Sequence, residues 1–388
     1  MHKLFFDIIA TGHHSEYISH LITYLCNINN DNDNNTYSFV VHPDFETRFP
    51  DIVEKTKSNL YIHWYPITTN ELNTVEHLSM AKASFANFKL MNAYAKRLEA
   101  DHVCLLYLNT FQLALSVKKP TYTLSGILFQ QFSRMPRTTW KDKLKYQRKK
   151  IITKLYAKNK KIKAVYILND SKTATLWNSW FDTTIFKMLP DPVPLLEPLE
   201  TFNIYDHYGV TPENRIYLHI GSLGNRKGTF ESIEAAHFIS KEEQNKTTLL
   251  LVGKTEDKTT AQKIKETIHK VQRTSQVQLI WDDSFVSNEQ MKSIFNQCYA
   301  VLIPYKNSEA SSGILGHAIA SKKPVITTGS GLLKELVETN EFGVLLDKVT
   351  PEKIAETITK LKIIDTNEER YSLFLNEHTP QIFSELLI

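Results

Sequence analysis

Residues 308–328 read SEASSGILGHAIASKKPVITT. This stretch passes from a small polar run into an apolar, helix-favouring segment. It then runs through Pro324 into a strand-like 325–327, and the apolar 300–303 precedes it. Strand, loop, helix and strand in that order form the repeating unit of a parallel sheet covered by helices. Ser311 and Ser312 suit a helix N-cap, and Gly313 lets the backbone approach a ligand. The free N–H groups of Gly313, Ile314 and their neighbours would then favour an anion at the helix mouth. Taken alone, the segment also reads as an ordinary capped helix. Glu309 lies just ahead of the helix start, and His317 lies roughly 7 Å along the axis at 1.5 Å per residue. One ligand of nucleotide-sugar shape could touch both, with its phosphates at the helix mouth.

A second segment, 218–228, reads LHIGSLGNRKG. Here a strand ends in a Gly-rich turn carrying Ser222, Arg226 and Lys227, and a helix is expected from Thr229. Ligands of open α/β sheets bind outside the carboxyl ends of the strands. Two cations at such an end could neutralise a leaving diphosphate, as a metal does elsewhere. A solvated basic turn would look similar.

These two segments, about 80 residues apart and in this order, resemble the retaining nucleotide-sugar transferases of glycosyltransferase family 4, which have the GT-B fold. The resemblance is strongest over 205–346. It extends to Leu189-Pro190-Asp191-Pro192-Val193, which is similar to the family's interdomain element, and to 250–253, which is similar to its strand end at Gly253. It also extends to 281–291, which contains Phe285 and Val286 and is similar to the segment near the nucleotide base; Ser287 and Gln290 there read as a capping box. The resemblance implies that Lys227 binds the diphosphate, that Glu309 holds the donor sugar's hydroxyls, and that Gly221, Ser222, Gly253, Phe285, Val286, Ser311, Ser312, Gly313 and Ile314 line the donor site. Where the family has a second glutamate, eight positions on, this chain has His317, a poorer acceptor for ribose hydroxyls. The family's Arg is replaced by Ser222, and Arg226 could supply that charge. No metal or other cofactor is implied, and a UDP-sugar is favoured over a GDP-sugar.

The first half has the same rhythm. Apolar runs at 4–10, 37–41, 60–64, 103–108, 121–124 and 164–168 alternate with helical patterns at 15–27 and 80–98. Pro190, Pro192, Pro194 and Pro198 mark a linker. Domains are therefore expected at 1–193 and 194–365, with a helical segment 366–388 packing back on the first. This is an α/β architecture of two doubly wound domains facing across a cleft. The resemblance puts the acceptor on the first domain, where His14, or His13 beside it, could touch substrate; Ser15 alternatively reads as a plain N-cap. The family's catalytic-site His after the fifth strand has no counterpart at 123–126, which leaves Asn109 or groups near Ser125. Asp31-Asn32-Asp33 has the D-x-D spacing of metal-binding transferases but sits in an Asn-rich run that reads as a solvated loop. His63 and His102 read as satisfied core or edge residues.

Apolar residues at 42% and charged residues at 23% exclude a disordered or fibrous chain. No apolar run approaches the roughly 20 residues of a membrane span, and no signal peptide is recognisable, so a cytoplasmic location is expected. Cys26, Cys104 and Cys298 read as buried thiols. Over 141–163, eleven Lys or Arg face the single acid Asp142, with Arg134 and Arg137 just ahead. Leu144, Ile151, Ile152 and Leu155 recur there at helical spacing. That fits either a helix packed on its own domain or peripheral binding to an anionic membrane through 134–163. Nucleic acid is not expected, since no aromatic platform accompanies the charge. The expected activity is transfer of a hexose or N-acetylhexosamine to a glycan or lipid-linked acceptor in cell-surface polysaccharide or lipopolysaccharide synthesis. The alternatives are a GT-B nucleotide-sugar epimerase or hydrolase, and a non-catalytic nucleotide-sugar binder.

Overall fold

The computed structural model describes residues 1–10, 12–28, 35–306, 309–361 and 368–388. Asp31, Asn32 and Asp33 lie outside the described residues. The chain divides into two compact units, Met1–Asp191 with Pro380–Ile388, and Pro192–Thr379.

The first unit holds a sheet of His2–Asp7 (β1), Thr36–Val41 (β2), Ile62–Pro66 (β3), His102–Leu105 (β4), Thr123–Leu128 (β5), Ile162–Leu168 (β6) and Phe186–Leu189 (β7). The strands are parallel in the order β3-β2-β1-β4-β5-β6-β7. The second unit holds Arg215–Ile220 (β8), Thr247–Val252 (β9), Gln278–Asp282 (β10), Ala300–Ile303 (β11), Val325–Thr328 (β12) and Gly343–Leu346 (β13). These are also parallel, in the order β10-β9-β8-β11-β12-β13.

Each sheet is apolar on both faces, which is why its inner strands read as continuous hydrophobic runs. Along β8, Ile216, Leu218 and Ile220 enter one core while Tyr217 enters the other; β9 sends Leu250 and Val252 to the first and Leu249 and Leu251 to the second. In the first unit Leu4 and Phe6 of β1 face one core and Phe5 the other. Each leucine buried this way stabilises the fold by about 1.5–3 kcal/mol. In both sheets the strand order reverses at the centre, between β1 and β4 and between β8 and β11. In open α/β sheets, ligands bind outside the strands' carboxyl ends at such a reversal.

Several boundaries differ from the sequence reading. The units part after Asp191, whose carboxylate accepts from the Tyr17 hydroxyl at 2.6 Å. Val193 belongs with the second unit, donating its N–H to the carbonyl of His378. Segment 366–388 does not act as one piece. Helix Glu368–Glu377 packs Tyr371 and Phe374 on Phe342 in the second unit, whereas helix Pro380–Leu387 packs Phe383 on Tyr17 in the first. β5 extends through Leu128, so 123–126 is the strand itself; the residues after it are Phe129, Gln130 and Gln131. Ser15 lies inside helix His14–Asn27, whose N-cap is His13. Cys104 and Cys298 are buried, but Cys26 is exposed, its thiol directed at the Lys55 carbonyl.

Candidate functional site

At the reversal point of the second sheet, β8 runs into the turn 221–228 and β11 into Pro304 and Tyr305. Gly228 sits at φ +72° and packs so closely that a Cβ would fall 2.1 Å from the Pro304 carbonyl oxygen. Only glycine meets both demands. The turn is thereby pressed on the chain leaving β11. Lys227 lies in a 3-10 turn, Asn225–Lys227, with its Nζ 3.6 Å from the centre of the Tyr305 ring. The Tyr305 hydroxyl accepts from Ser312 Oγ at 3.3 Å. Ser312 is the N-cap of helix Gly313–Ala320, yet its hydroxyl is spent on Tyr305 and caps no backbone N–H. Tyr305 thus ties the cationic turn to the helix mouth, where first-turn N–H groups present positive potential.

A buried chain of hydrogen bonds fixes the turn from beneath. Gly224 N–H donates to Thr229 Oγ1 at 3.0 Å, the Thr229 hydroxyl meets His219 Nε2 at 2.9 Å, and His219 Nδ1 meets the Leu302 carbonyl at 3.1 Å. The carbonyl can only accept, so Nδ1 carries the proton, Nε2 accepts from Thr229, and every group in the chain is satisfied. Burial holds the imidazole's pKa down at about 4, only partly opposed by the Leu302 bond and reinforced by the nearby charge of Lys227.

The other donor-site candidates surround this centre. Gly221, at φ +119°, lies against Ile314 of the helix's first turn, and Gly253, at φ +128°, abuts the Gly221 carbonyl. Trp281 Nε1 donates to the Gly253 carbonyl at 3.2 Å. Phe285 is 86% exposed, with Lys254 Nζ 5.2 Å from its ring centre, and Val286 packs on the core beneath. Ser287 accepts from Gln290 N–H, the first half of the expected capping box; the reciprocal bond is not made. Arg226 and Ser222 are exposed, and Glu309 and Ser311 are half-buried on the approach to the helix. The His317 ring lies tilted against Phe295, ring centres 5.7 Å apart. Lys306, a further cation at the turn, is paired with Glu231 and bonded to Asn225.

The first sheet has its own polar centre at its reversal point. Asp7 ends β1, and its Oδ2 lies 2.6 Å from His14 Nδ1 while Oδ1 accepts from Ile9 N–H at 3.1 Å. The His14 ring stands edge-on to Tyr107 and stacks with Phe129, at 5.4 and 5.7 Å. A cavity of about 180 Å³ lies alongside, its wall including Asp7, Glu76, Asn87, Tyr107 and Thr110. Asn109 is a brace: its Oδ1 accepts from Phe129 N–H at 2.9 Å, which ties the end of β4 to the end of β5. Ser125 is buried against His102, whose two nitrogens meet Thr123 and Ser125 at 2.8 Å. His63 is exposed on β3. Sequence reasoning passed over Asp7, Tyr305 and His219. The signal for Asp7 and Tyr305 was their place at carboxyl ends of strands flanking each reversal point.

The basic stretch 134–163 is not uniform. Arg134 forms a two-pronged bond to buried Asp170, at 2.6 and 2.8 Å, and is no surface cation. Burial would raise the Asp170 pKa, but the hydrogen bonds from Arg134 and Thr173 outweigh it and lower it. Helix Trp140–Ala157 packs through Tyr146, Thr153, Tyr156 and Ala157. Of the four apolar residues recurring at helical spacing, Ile152 packs on the core, whereas Leu144, Ile151 and Leu155 are 63%, 58% and 46% exposed and align with Trp140, 70% exposed.

Residues 203–372 match the family model of Glycosyl transferases group 1. No curated protein matches the chain. Among solved structures, a glycosyltransferase from Rickettsia africae aligns at TM-score 0.70 and 15% identity, covering 99% of this chain and 96% of its own. Anabaena Alr3699/HepE, solved with UDP-glucose, aligns at TM-score 0.67 and 15% identity over 100% of this chain and 98% of its own. The trehalose-phosphate synthase (UDP-forming) of Burkholderia xenovorans, solved with glucose-6-phosphate, gives TM-score 0.67 at 8% identity over 100% and 98%. The fold over the whole chain is GT-B, and together with the group 1 match over most of the second unit it supports a glycosyltransferase of the GT-B type.

Proposed function

We propose that the chain is a hexosyltransferase that takes a hexose or N-acetylhexosamine from a nucleotide diphosphate sugar, UDP in preference to GDP, and passes it with retention to a glycan or lipid-linked acceptor. The observation that carries this reading is the Lys227–Tyr305–Ser312 arrangement at the second sheet's reversal point, a cation and a helix N-terminus held side by side. A leaving diphosphate at that point would be stabilised by positive charge and by backbone amides already in position, which supports a metal-independent reaction. Lys227 and Arg226 supply charge, Ser311 to Ile314 supply amides, Glu309 orients the sugar, and Gly253, Phe285 and Val286 flank the base. The Asp7–His14 pair and its cavity supply the acceptor side. The lipid-linked acceptor and cell-surface pathway draw support from helix Trp140–Ala157, whose exposed Trp140, Leu144, Ile151 and Leu155 lie among lysines and suit an anionic membrane surface. Among the described residues no helix is long and apolar enough to cross a membrane.

The experiment is a thermal-shift screen of UDP, GDP and their common sugars, followed by turnover in EDTA with and without candidate acceptors. A ligand that binds only the folded chain raises its melting temperature by mass action. Acceptor-dependent release of UDP is expected. Complete epimerisation or hydrolysis with no acceptor present would replace the transferase reading with its GT-B alternative, and nucleotide binding without turnover for any acceptor would leave a binding protein.

A further inference from the structure

A cavity larger than the one beside Asp7 lies away from the reversal point of the first unit. It encloses about 500 Å³ and is lined by Lys89 and Lys96 of helix Met80–Arg97, by Lys118 and Lys119, and by an apolar wall that includes Phe85 and Phe88. Residues 118–121 lead into β5 and helix Met80–Arg97 leads into β4. The cavity therefore opens near the amino ends of the strands, the opposite edge of the sheet from Asp7 and His14.

Its composition is one-sided. Four lysines line it and no carboxylate does, and among the described residues none of the four ammonium groups forms an ion pair or hydrogen bond. Four like charges around one hollow repel one another, and an anion bound there relieves that repulsion. The wall carrying two of them is fixed. Asn159 Nδ2 donates to the carbonyls of Leu115 and Lys118 at 3.2 and 2.9 Å, Lys161 Nζ donates to the Thr121 carbonyl, and Pro120 is buried. Asn92 also lines the cavity. Its Oδ1 accepts from the Tyr122 hydroxyl at 3.2 Å, which leaves its amide donors for a ligand. Phe88 is nearly covered, and Phe85 is 39% exposed and offers a ring face.

We propose that this cavity is a second binding site for a phosphate ester carried on an apolar group. The lysines and Asn92 take the phosphate oxygens and Phe85 takes the apolar part. The same chemistry is offered by a free phosphoester and by the headgroup of an anionic lipid.

The test uses the full chain with Lys227→Ala, so that phosphate binding in the second unit does not contribute. Phenyl phosphate is titrated calorimetrically, and vesicles of phosphatidic acid in phosphatidylcholine are used for sedimentation. Each is compared with a Lys89→Ala, Lys118→Ala, Lys119→Ala variant and with a control lacking three exposed lysines of the second unit, Lys241, Lys258 and Lys270. The expected result is at least a tenfold loss of phenyl phosphate affinity in the cavity variant alone, with inorganic phosphate bound more weakly than phenyl phosphate throughout. A tenfold loss confined to the vesicles assigns the site to a lipid headgroup. Equal binding by the cavity variant and its parent for both probes, or an equal loss in the control, overturns the proposal.

Discussion

Lys227 Nζ stands 3.6 Å from the centre of the Tyr305 ring, and that ring's hydroxyl is bonded to the N-cap Ser312 of the next helix. One aromatic side chain therefore sets where the cation lies relative to the helix mouth.

The first prediction follows from that spacing. A charge-assisted bond to phosphate contributes about 1.5–3 kcal/mol, so Lys227→Ala should weaken UDP binding by about 10- to 100-fold. Tyr305→Leu keeps the cation but removes its support, and should weaken UDP by a smaller factor, with Tyr305→Phe milder still. Calorimetric titration with UDP orders the three; unchanged affinity in Lys227→Ala would remove the diphosphate from this turn.

Glu309 tests the other end of the same ligand. It lies before the helix, so Glu309→Ala should leave the affinity for bare UDP within about twofold while lowering kcat/KM for the sugar donor by about 10- to 100-fold, the worth of charged hydrogen bonds to hydroxyls. Equal losses for UDP and donor would mean that Glu309 serves the diphosphate or the fold instead of the sugar.

His219 links the site to pH. Its pKa in the folded chain is about 4, against an unfolded value near 6.5, so between these limits the unfolded state binds the extra proton. Stability contributed by this residue is present above about pH 6.5 and is lost as pH falls toward 4, by an amount on the order of 3 kcal/mol. His102 in the first unit, also held at about 4 by burial, has the same sign. Urea unfolding of wild type and His219→Gln at pH 7 and pH 5 checks this: the variant should be less stable at pH 7 but lose less on acidification. Parallel pH curves would show that the buried chain from Gly224 to Leu302 stays neutral for another reason.

Much of this was legible before the structure, and the reasons are local. The inner strands β8, β9 and β11 bury both faces and so announce themselves as apolar runs; edge strand β7, FKML, buries only Phe186 and Leu189 and shows neither a continuous apolar run nor an alternation. The glycines and cations of 221–228 and the serines of 311–312 carried the candidate donor site in one dimension. Tyr305 and His219 did not show, because their roles come from packing between β8 and β11, neighbours in space some 80 residues apart in the chain. The same holds for the basic stretch. Periodicity indicated a helix within 141–163 and left open whether its leucines and isoleucines pack on the domain or face a membrane, because which stripe meets the core is set by Tyr146 and Tyr156, and Leu144, Ile151 and Leu155 stay exposed.

That exposed stripe makes a fourth prediction. Replacing Trp140, Leu144, Ile151 and Leu155 with serine removes apolar surface that the folded chain does not bury, so the melting temperature should change little. Sedimentation with phosphatidylglycerol vesicles should fall by at least tenfold, and wild-type binding should weaken with salt, as attraction between lysines and an anionic surface is screened. Undiminished vesicle binding in the variant would assign this stripe to another partner.

The last prediction concerns Asp7 and His14. Asp7 Oδ2 is an acceptor when ionised, so at 2.6 Å it fixes the imidazole proton on Nδ1 and leaves Nε2 as the lone pair. Tyr107 and Phe129 hold the ring in place, and the cavity lined by Asp7 and Tyr107 is large enough for part of a sugar. A hydroxyl reaching Nε2 would be oriented and relieved of its proton as it attacks. Removal of such a base costs about 10²- to 10⁴-fold in rate. His14→Ala should therefore lower kcat for transfer by at least 100-fold with UDP affinity unchanged. Asp7→Asn is the sharper test, because its amide can donate to Nδ1, reverse the tautomer and abolish the lone pair while keeping the shape. If the pair were only a structural brace, Asp7→Asn would lower the melting temperature yet leave kcat per folded molecule intact. Stopped assays of UDP release at saturating donor, run beside melting curves, separate the two.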